Sequence, residues 1–325
     1  MKNFLILLVV LAISFFSHSQ TIPIVDYLHQ TLPGKIPKIF ASRVVSNGFA
    51  NRDFTISPAG DEIFFTIQQR DLVSVVMNST KRNGKWSEPA VASFSGIYND
   101  LEASFTFDGK RIFFSSNRPL HSNDSTNDYN IWHTEKKNGA WIDPAPLDTE
   151  VNSEKDEFYP SMAKNGDLYF TTQIETGKGK EDIVMSEYKN GKYLSPVSLP
   201  EAINSKGYEF NAFVDPDEQF ILFSAYGRDD DMGRGDLYVS IKKNGQWQQA
   251  VNLGKNINSV SLDYCPFVTW DKKYLFFTSS RAIYKSPFSK KQTLSDLKKG
   301  LLNPGNGLDD IYWVRFDDIL EGLNK

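Results

Sequence analysis

The chain has 325 residues, with 36 Lys and Arg against 40 Asp and Glu, a formal net charge of −4. That balance argues against nucleic acid or an anionic membrane surface as the main partner. The single cysteine, Cys265, cannot form an internal disulfide, and its apolar setting (Tyr264-Cys265-Pro266-Phe267-Val268) marks it as a buried structural thiol.

Lys2 followed by the apolar run 4–16, interrupted only by Ser14, predicts a secretory signal peptide spanning 1–19. Ser17-His18-Ser19 supplies the cleavage site, and cutting is expected before Gln20. The run is short for a bilayer span, and no later segment is apolar enough for one. No cysteine stands directly after the run, so a lipid anchor is not expected. An exported chain with no disulfide fits a bacterial envelope, either periplasmic or secreted. Residues 20–37 read as an N-terminal extension and 38–325 as one domain.

Within that domain an aromatic core recurs five times: Phe64-Phe65-Thr66, Phe113-Phe114-Ser115, Tyr169-Phe170-Thr171, Leu222-Phe223-Ser224 and Phe276-Phe277-Thr278. The second members are spaced by 49, 56, 53 and 54 residues. A period near fifty in an all-β pattern means radial repetition of a four-stranded unit, a β-propeller. Each unit opens with a short strand a, such as Phe54-Thr55-Ile56 or Pro266-Phe267-Val268, and a tight turn of Gly, Asn or Asp leads to the aromatic strand b. Strand c follows as Asn130-Ile131-Trp132, Asp182-Ile183-Val184, Asp236-Leu237-Tyr238 and Asp310-Ile311-Tyr312, with the looser Val75-Val76-Met77 in the first unit. Asn-Gly pairs at 83–84, 138–139, 190–191 and 244–245 then predict hairpins into strand d, which opens with Trp86, Trp141, Tyr193 or Trp247. These aromatics are expected to pack between blades. The fifth unit lacks strand d, while Ile39-Phe40-Ala41 precedes the first unit. The expectation is an all-β, five-bladed propeller of antiparallel four-stranded blades, its ring closed by that N-terminal strand.

The fourth unit shows the fullest pattern: Asn204-Ser205, Glu209, Asp217, Phe223-Ser224, Arg228, Asp236-Leu237-Tyr238 and Asn244-Gly245-Gln246-Trp247. It resembles the WD40-like repeat of the Tol-system periplasmic propeller and of many secreted bacterial proteins, over about residues 38–316. That resemblance implies the fold and a binding or scaffolding role. It names no ligand, because propellers host many functions.

An acid stands near the start of each strand a: Asp53, Glu102, Glu157, Glu209 and Asp263. A basic residue follows strand b in four units: Arg70, Arg118, Arg228 and Arg281. Antiparallel pairing predicts four structural ion pairs, Asp53–Arg70, Glu102–Arg118, Glu209–Arg228 and Asp263–Arg281. The third unit has no such arginine, which leaves Glu157 free for a ligand. The loops joining b to c vary most, and the fifth holds the long insertion 282–309, in which 293–302 carries a helical pattern. Glu157, Gln173, Asp229, Asp230, Asp231, His121 and Tyr284 are therefore the candidate ligand contacts. Asp229 to Asp231 lack the spaced ligands of a calcium loop, and no two of the four histidines have metal-ligand spacing, so no metal and no cofactor is expected.

The reading is an exported, monomeric, non-catalytic propeller. Its partner would be an envelope or extracellular protein, or a glycan, held at the loop-rich face. The alternative is a carbohydrate-active hydrolase, which needs two carboxylates, free of arginine, facing each other across a pocket.

Overall fold

Successive side chains on a strand point to opposite faces, and this explains why a hydrophobic doublet, aromatic in four of the five, marks every repeat. In the computed structural model, which describes residues 26–70 and 72–323, Phe64 packs towards the second blade with Phe94, Phe105 and Phe114. Its neighbour Phe65 packs the other way, towards the fifth blade with Phe54 and Phe276. Phe113 and Phe114, Tyr169 and Phe170, and Leu222 and Phe223 divide between adjacent interfaces in the same manner. The core is thus a ring of blade-to-blade interfaces. Each fully buried ring contributes roughly 1.5–3 kcal/mol of apolar burial.

Five antiparallel sheets form the blades. Strands a run Ala50–Ile56, Asp100–Phe105, Phe158–Met162, Tyr208–Val214 and Asp263–Val268. Strands b run Glu62–Gln69, Arg111–Ser116, Leu168–Thr172, Phe220–Tyr226 and Tyr274–Ser279. Strands c run Val73–Arg82, Asn130–Lys137, Asp182–Ser186, Asp236–Lys243 and Asp310–Arg315. The Asn-Gly turns have positive φ at both residues, for example 51° at Asn83 and 77° at Gly84, as a type I′ hairpin requires. Beyond the turn the aromatic residue closes the hairpin, and the outer strand d pairs a few residues later, as at Ala90–Val91 and Val251–Asn252. Trp141 shows the packing role of these residues: its indole donates to Glu62 of the first blade at 3.0 Å and its ring lies near Phe64 and Phe105.

The ring closes through the N-terminus. Lys38–Ile39 pairs with Trp313 and Tyr312 as the outer strand of the fifth blade, and Phe40 is fully buried beside Phe54, Phe276 and Trp313. Tyr27, upstream of that strand, is buried against Tyr274, Phe276 and Trp313, so part of the expected extension belongs to the core. The expected signal peptide lies outside the described residues. No helix among the described residues is long and apolar enough to cross a membrane.

The insertion forms one helix, Leu294–Leu301, started by a capping box between Thr293 and Asp296. Leu294 and Leu301 remain exposed, so this helix lays no apolar face on the blades.

Candidate ligand pocket at the channel mouth

Every strand a carries a β-bulge against its strand b, and every bulge contains a residue with positive φ: Asp53, Glu102, Tyr159, Asn211 and Cys265, at 51–63°. A bulge re-aims its side chain, and here the five residues meet at the axis as one hydrogen-bonded plug. The Glu102 amide donates to Asp53 Oδ2 at 3.1 Å, and the Tyr159 amide donates to Glu102 Oε2 at 2.7 Å. Asn211 Nδ2 donates to Glu102 Oε1 at 3.0 Å, and the Cys265 thiol lies 3.5 Å from Asn211 Oδ1. Arg52 fills the centre: Nε donates to Asp53 at 2.6 Å, and Nη2 to Glu102 at 2.5 Å and to Cys265 Sγ at 3.3 Å.

Asp53, Glu102 and Cys265 bring ligand atoms within 4.8 Å of one another, a spacing that would suit a metal ion. The Arg52 guanidinium already stands on all three, so the cation of this cluster is built into the chain. Burial pushes the Glu102 carboxyl up to about 7 against the pull of Arg52, and the charge of Asp53 beside it adds to the rise. Burial sets the direction, and a second carboxylate on the same guanidinium adds to it. Burial likewise pushes the Cys265 thiol well above its usual range, as fits a neutral structural thiol.

Outside the plug, three blades share a second arrangement. Arg228 holds Glu209 at 2.9 Å and lies over Phe223 and Tyr238. Arg281 holds Asp263 at 2.6 Å and lies over Phe277 and Tyr312. Arg118 lies over Phe114 and Trp132, but its acid is Asp100 at 2.6 Å, not Glu102. The expected pairs Glu102–Arg118 and Asp53–Arg70 do not form. The bulge is the reason. It separates an acid at the ladder position (Asp100, Glu157, Glu209, Asp263) from the residue two further on, which turns to the axis. Asp53 and Glu102 are axial residues, so Arg52 takes them.

The first and third blades each lack part of this triad. In the first, Asn51 occupies the acid position and Met77 stands opposite Phe65 where the other three have Trp or Tyr. Arg70 is left exposed, with no carboxylate partner among the described residues. In the third, Ile174 stands four residues after Phe170, where Arg118 and Arg281 stand after their own doublets, and Val184 pairs with Phe170 in place of the aromatic. Glu157 is left fully buried, with no cation paired to it among the described residues. Its Oε1 accepts from the Ser153 hydroxyl at 2.6 Å, while Oε2 has no partner among the described residues. Burial pushes its carboxyl up to about 7, opposed by the Ser153 and Thr172 hydrogen bonds.

Arg70 opens onto a cavity of about 840 Å³ at the channel mouth, spanning the first, fourth and fifth blades. Arg234, Gln68, Gln69 and Ser280 supply its polar groups, and Phe49 and Tyr226 its exposed rings. Asp309 is the one carboxylate lining it among the described residues, and it accepts from the Tyr264 hydroxyl at 2.9 Å. The cavity meets the plug through Gln68, which accepts from Arg52 Nη1 at 3.3 Å, and through Tyr264, whose ring lies 5.0 Å from that guanidinium.

None of the seven candidate contacts read from the sequence lines this cavity. Gln173 lies at a small cleft of the third blade with Thr172, above the buried Glu157. Asp229 and Asp230 border a groove of the fourth blade. Asp230 and Asp231 both accept from the Tyr238 hydroxyl, so the acidic triplet shapes its own loop. Tyr284 donates to Gln292 and packs on Phe288 inside the insertion. A Cβ on Gly300 would clash with its ring at 2.4 Å. His121 is exposed on its loop, where its carbonyl accepts from the Asp124 amide. Arg70 had a legible signal, since the acid two residues before Asp53 is missing. Arg234, Phe49 and Tyr226 had none.

No family model matches the chain, and no curated protein matches it. Solved propellers do. TolB from Acinetobacter baumannii is 12% identical with a TM-score of 0.46, over 73% of this chain and 49% of that one. A protein assigned as TolB from Agrobacterium tumefaciens is 12% identical with a TM-score of 0.48, over 82% of this chain and 90% of that one. An α-L-arabinofuranosidase from Lactobacillus brevis is 12% identical with a TM-score of 0.47, over 84% and 93%. The likeness is one of fold alone.

Proposed function

We propose that this chain is a non-catalytic binding propeller of the bacterial envelope that takes a protein or glycan at its loop-bearing face. The observation that carries the reading is how charge is distributed around the axis. The axial acids Asp53 and Glu102 are sealed beneath Arg52, and Asp100, Glu209 and Asp263 are each held by an arginine. The mouth cavity offers one carboxylate and two uncommitted arginines among its described lining. Hydrolysis of a glycoside by the two-carboxylate route needs a facing pair of acids, and this cavity favours holding a ligand over cleaving it. The predicted signal peptide supports the export part of the reading.

The test uses the purified protein against envelope extract, comparing wild type with the mouth variant Phe49→Ser, Arg70→Gln, Arg234→Gln. Recovery of bound material should fall with the variant, and no reducing ends should appear when glycans are incubated with the wild type. Equal recovery removes the mouth as the site; release of reducing ends returns the hydrolase reading.

A further inference from the structure

We infer that the mouth cavity binds an acidic oligosaccharide, with a sugar carboxylate held between Arg70 and Arg234. This rests on the binding reading above and names its ligand class. The first argument is internal to the repeat. Asn51 pairs with Ile67, and Glu209 pairs with Ala225, across the same a–b ladder. Arg70 stands three residues beyond Ile67, as Arg228 stands three beyond Ala225, so the two arginines occupy matching places. In the fourth blade the guanidinium is consumed by Glu209; in the first the acid is an amide, Asn51, whose Oδ1 accepts from the Asn47 amide at 3.1 Å. The first blade thus keeps the arginine and drops its carboxylate. A ligand carboxylate supplies what is missing, and arginine matches that group with paired donors.

The second argument is the rest of the lining. Arg234 brings a second cation into the same cavity, so two arginines stand against Asp309 in a chain of net charge −4. Phe49 is 64% and Tyr226 47% exposed, and both line the cavity. Gln68, Gln69 and Ser280 present amide and hydroxyl groups, which donate to and accept from sugar hydroxyls. A volume of about 840 Å³ lies within the usual range of small-ligand clefts, roughly 300–1,000 Å³. It accommodates a few sugar rings, not a folded domain. Flat rings, amides and a cation pair suit a uronate chain better than a peptide terminus, which would leave the rings without a face to stack on.

Titration calorimetry tests this with three uronate trisaccharides (galacturonate, glucuronate and mannuronate), the methyl ester of each, and a tetrapeptide ending in a free carboxylate. At least one acidic trisaccharide should bind, its ester about tenfold or more weaker, and Arg70→Gln and Arg234→Gln should each weaken binding by about tenfold, the loss of one charge-assisted hydrogen bond. The unfolding midpoint of both variants serves as the check on folding. Absence of binding by all three acids overturns the inference, as does equal binding of the esters or affinity unchanged in both variants. Binding of the peptide alone overturns the glycan and leaves the mouth as a binding face. Cleavage of a trisaccharide overturns the non-catalytic reading instead.

Discussion

The first and third blades are mirror images in what they lack. Blades two, four and five each hold an acid, an arginine and an aromatic ring in one packed unit. The first blade keeps the arginine without the acid, and the third keeps the acid without the arginine; both lose the ring, as Met77 and Val184. The consequences are opposite because position differs. Arg70 has a long side chain at a strand end and swings into the mouth cavity. Glu157 is short and stays where its strand puts it, fully buried. A broken pair therefore yields a surface cation in one blade and a stored electrostatic cost in the other.

The sharpest way to break the comparison is to create the third blade's condition in an intact blade. Arg228→Met leaves Glu209 buried without its cation, and removing one partner of a buried pair costs about 3–5 kcal/mol. Urea unfolding at pH 7 should show a loss of that size. Arg70→Gln, at the matching place in the first blade, should change stability by no more than about 0.5 kcal/mol, as for an exposed side chain with no partner among the described residues. Equal losses for the two variants would mean that Arg70 is not free.

The next effect belongs to Glu157. Its carboxyl rises from an ordinary value of 4.5 to about 7 in the folded chain. Between those two values the folded state binds more protons than the unfolded state, so stability falls as pH rises through the window and stays reduced above it. Glu157→Gln should therefore stabilise the protein at pH 8 by on the order of 1–3 kcal/mol and give no gain at pH 4.5. Part of the pH slope should survive, because Glu102 is pushed up to the same region. A variant that is stabilised equally at both pH values would show that charge is not the cause.

The sequence made the blades legible because hydrophobic doublets and Asn-Gly turns are local signals that repeat. It also exposed the missing arginine of the third blade. The register of the acids was not legible. Asp100-Leu101-Glu102 offers two acids two residues apart on one strand, and period-two alternation puts both on the same face. Only the bulge separates them, and no residue type marks it: its positive-φ position holds Asp, Glu, Tyr, Asn and Cys in turn. The plug was hidden for the same reason. So was the mouth cavity, whose lining comes from three blades that are far apart in sequence.

A small expected change in stability carries a sharp test of the comparison. Asn51→Asp restores the acid of the first blade. The Oδ1 contact to the Asn47 amide suits a carboxylate equally, and the buried Asn51 Nδ2 has no partner among the described residues, so its replacement by oxygen sacrifices no hydrogen bond seen there. The new acid faces an arginine at the offset that serves Glu209, and it should draw Arg70 out of the cavity. Without a ring at Met77 the pair lacks the stacking seen over Tyr238 and Tyr312, and burying the new carboxylate at the fully buried position 51 offsets its attraction to Arg70, so the net effect on unfolding should stay within about 1 kcal/mol. Binding should fall towards that of Arg70→Gln, although Arg70 itself is untouched. Adding Met77→Tyr should deepen that loss by holding the guanidinium in place. If Asn51→Asp weakens folding strongly and leaves affinity unchanged, Arg70 does not reach the acid position. The first blade would then be a different structure from the fourth, and not the same structure with its acid removed.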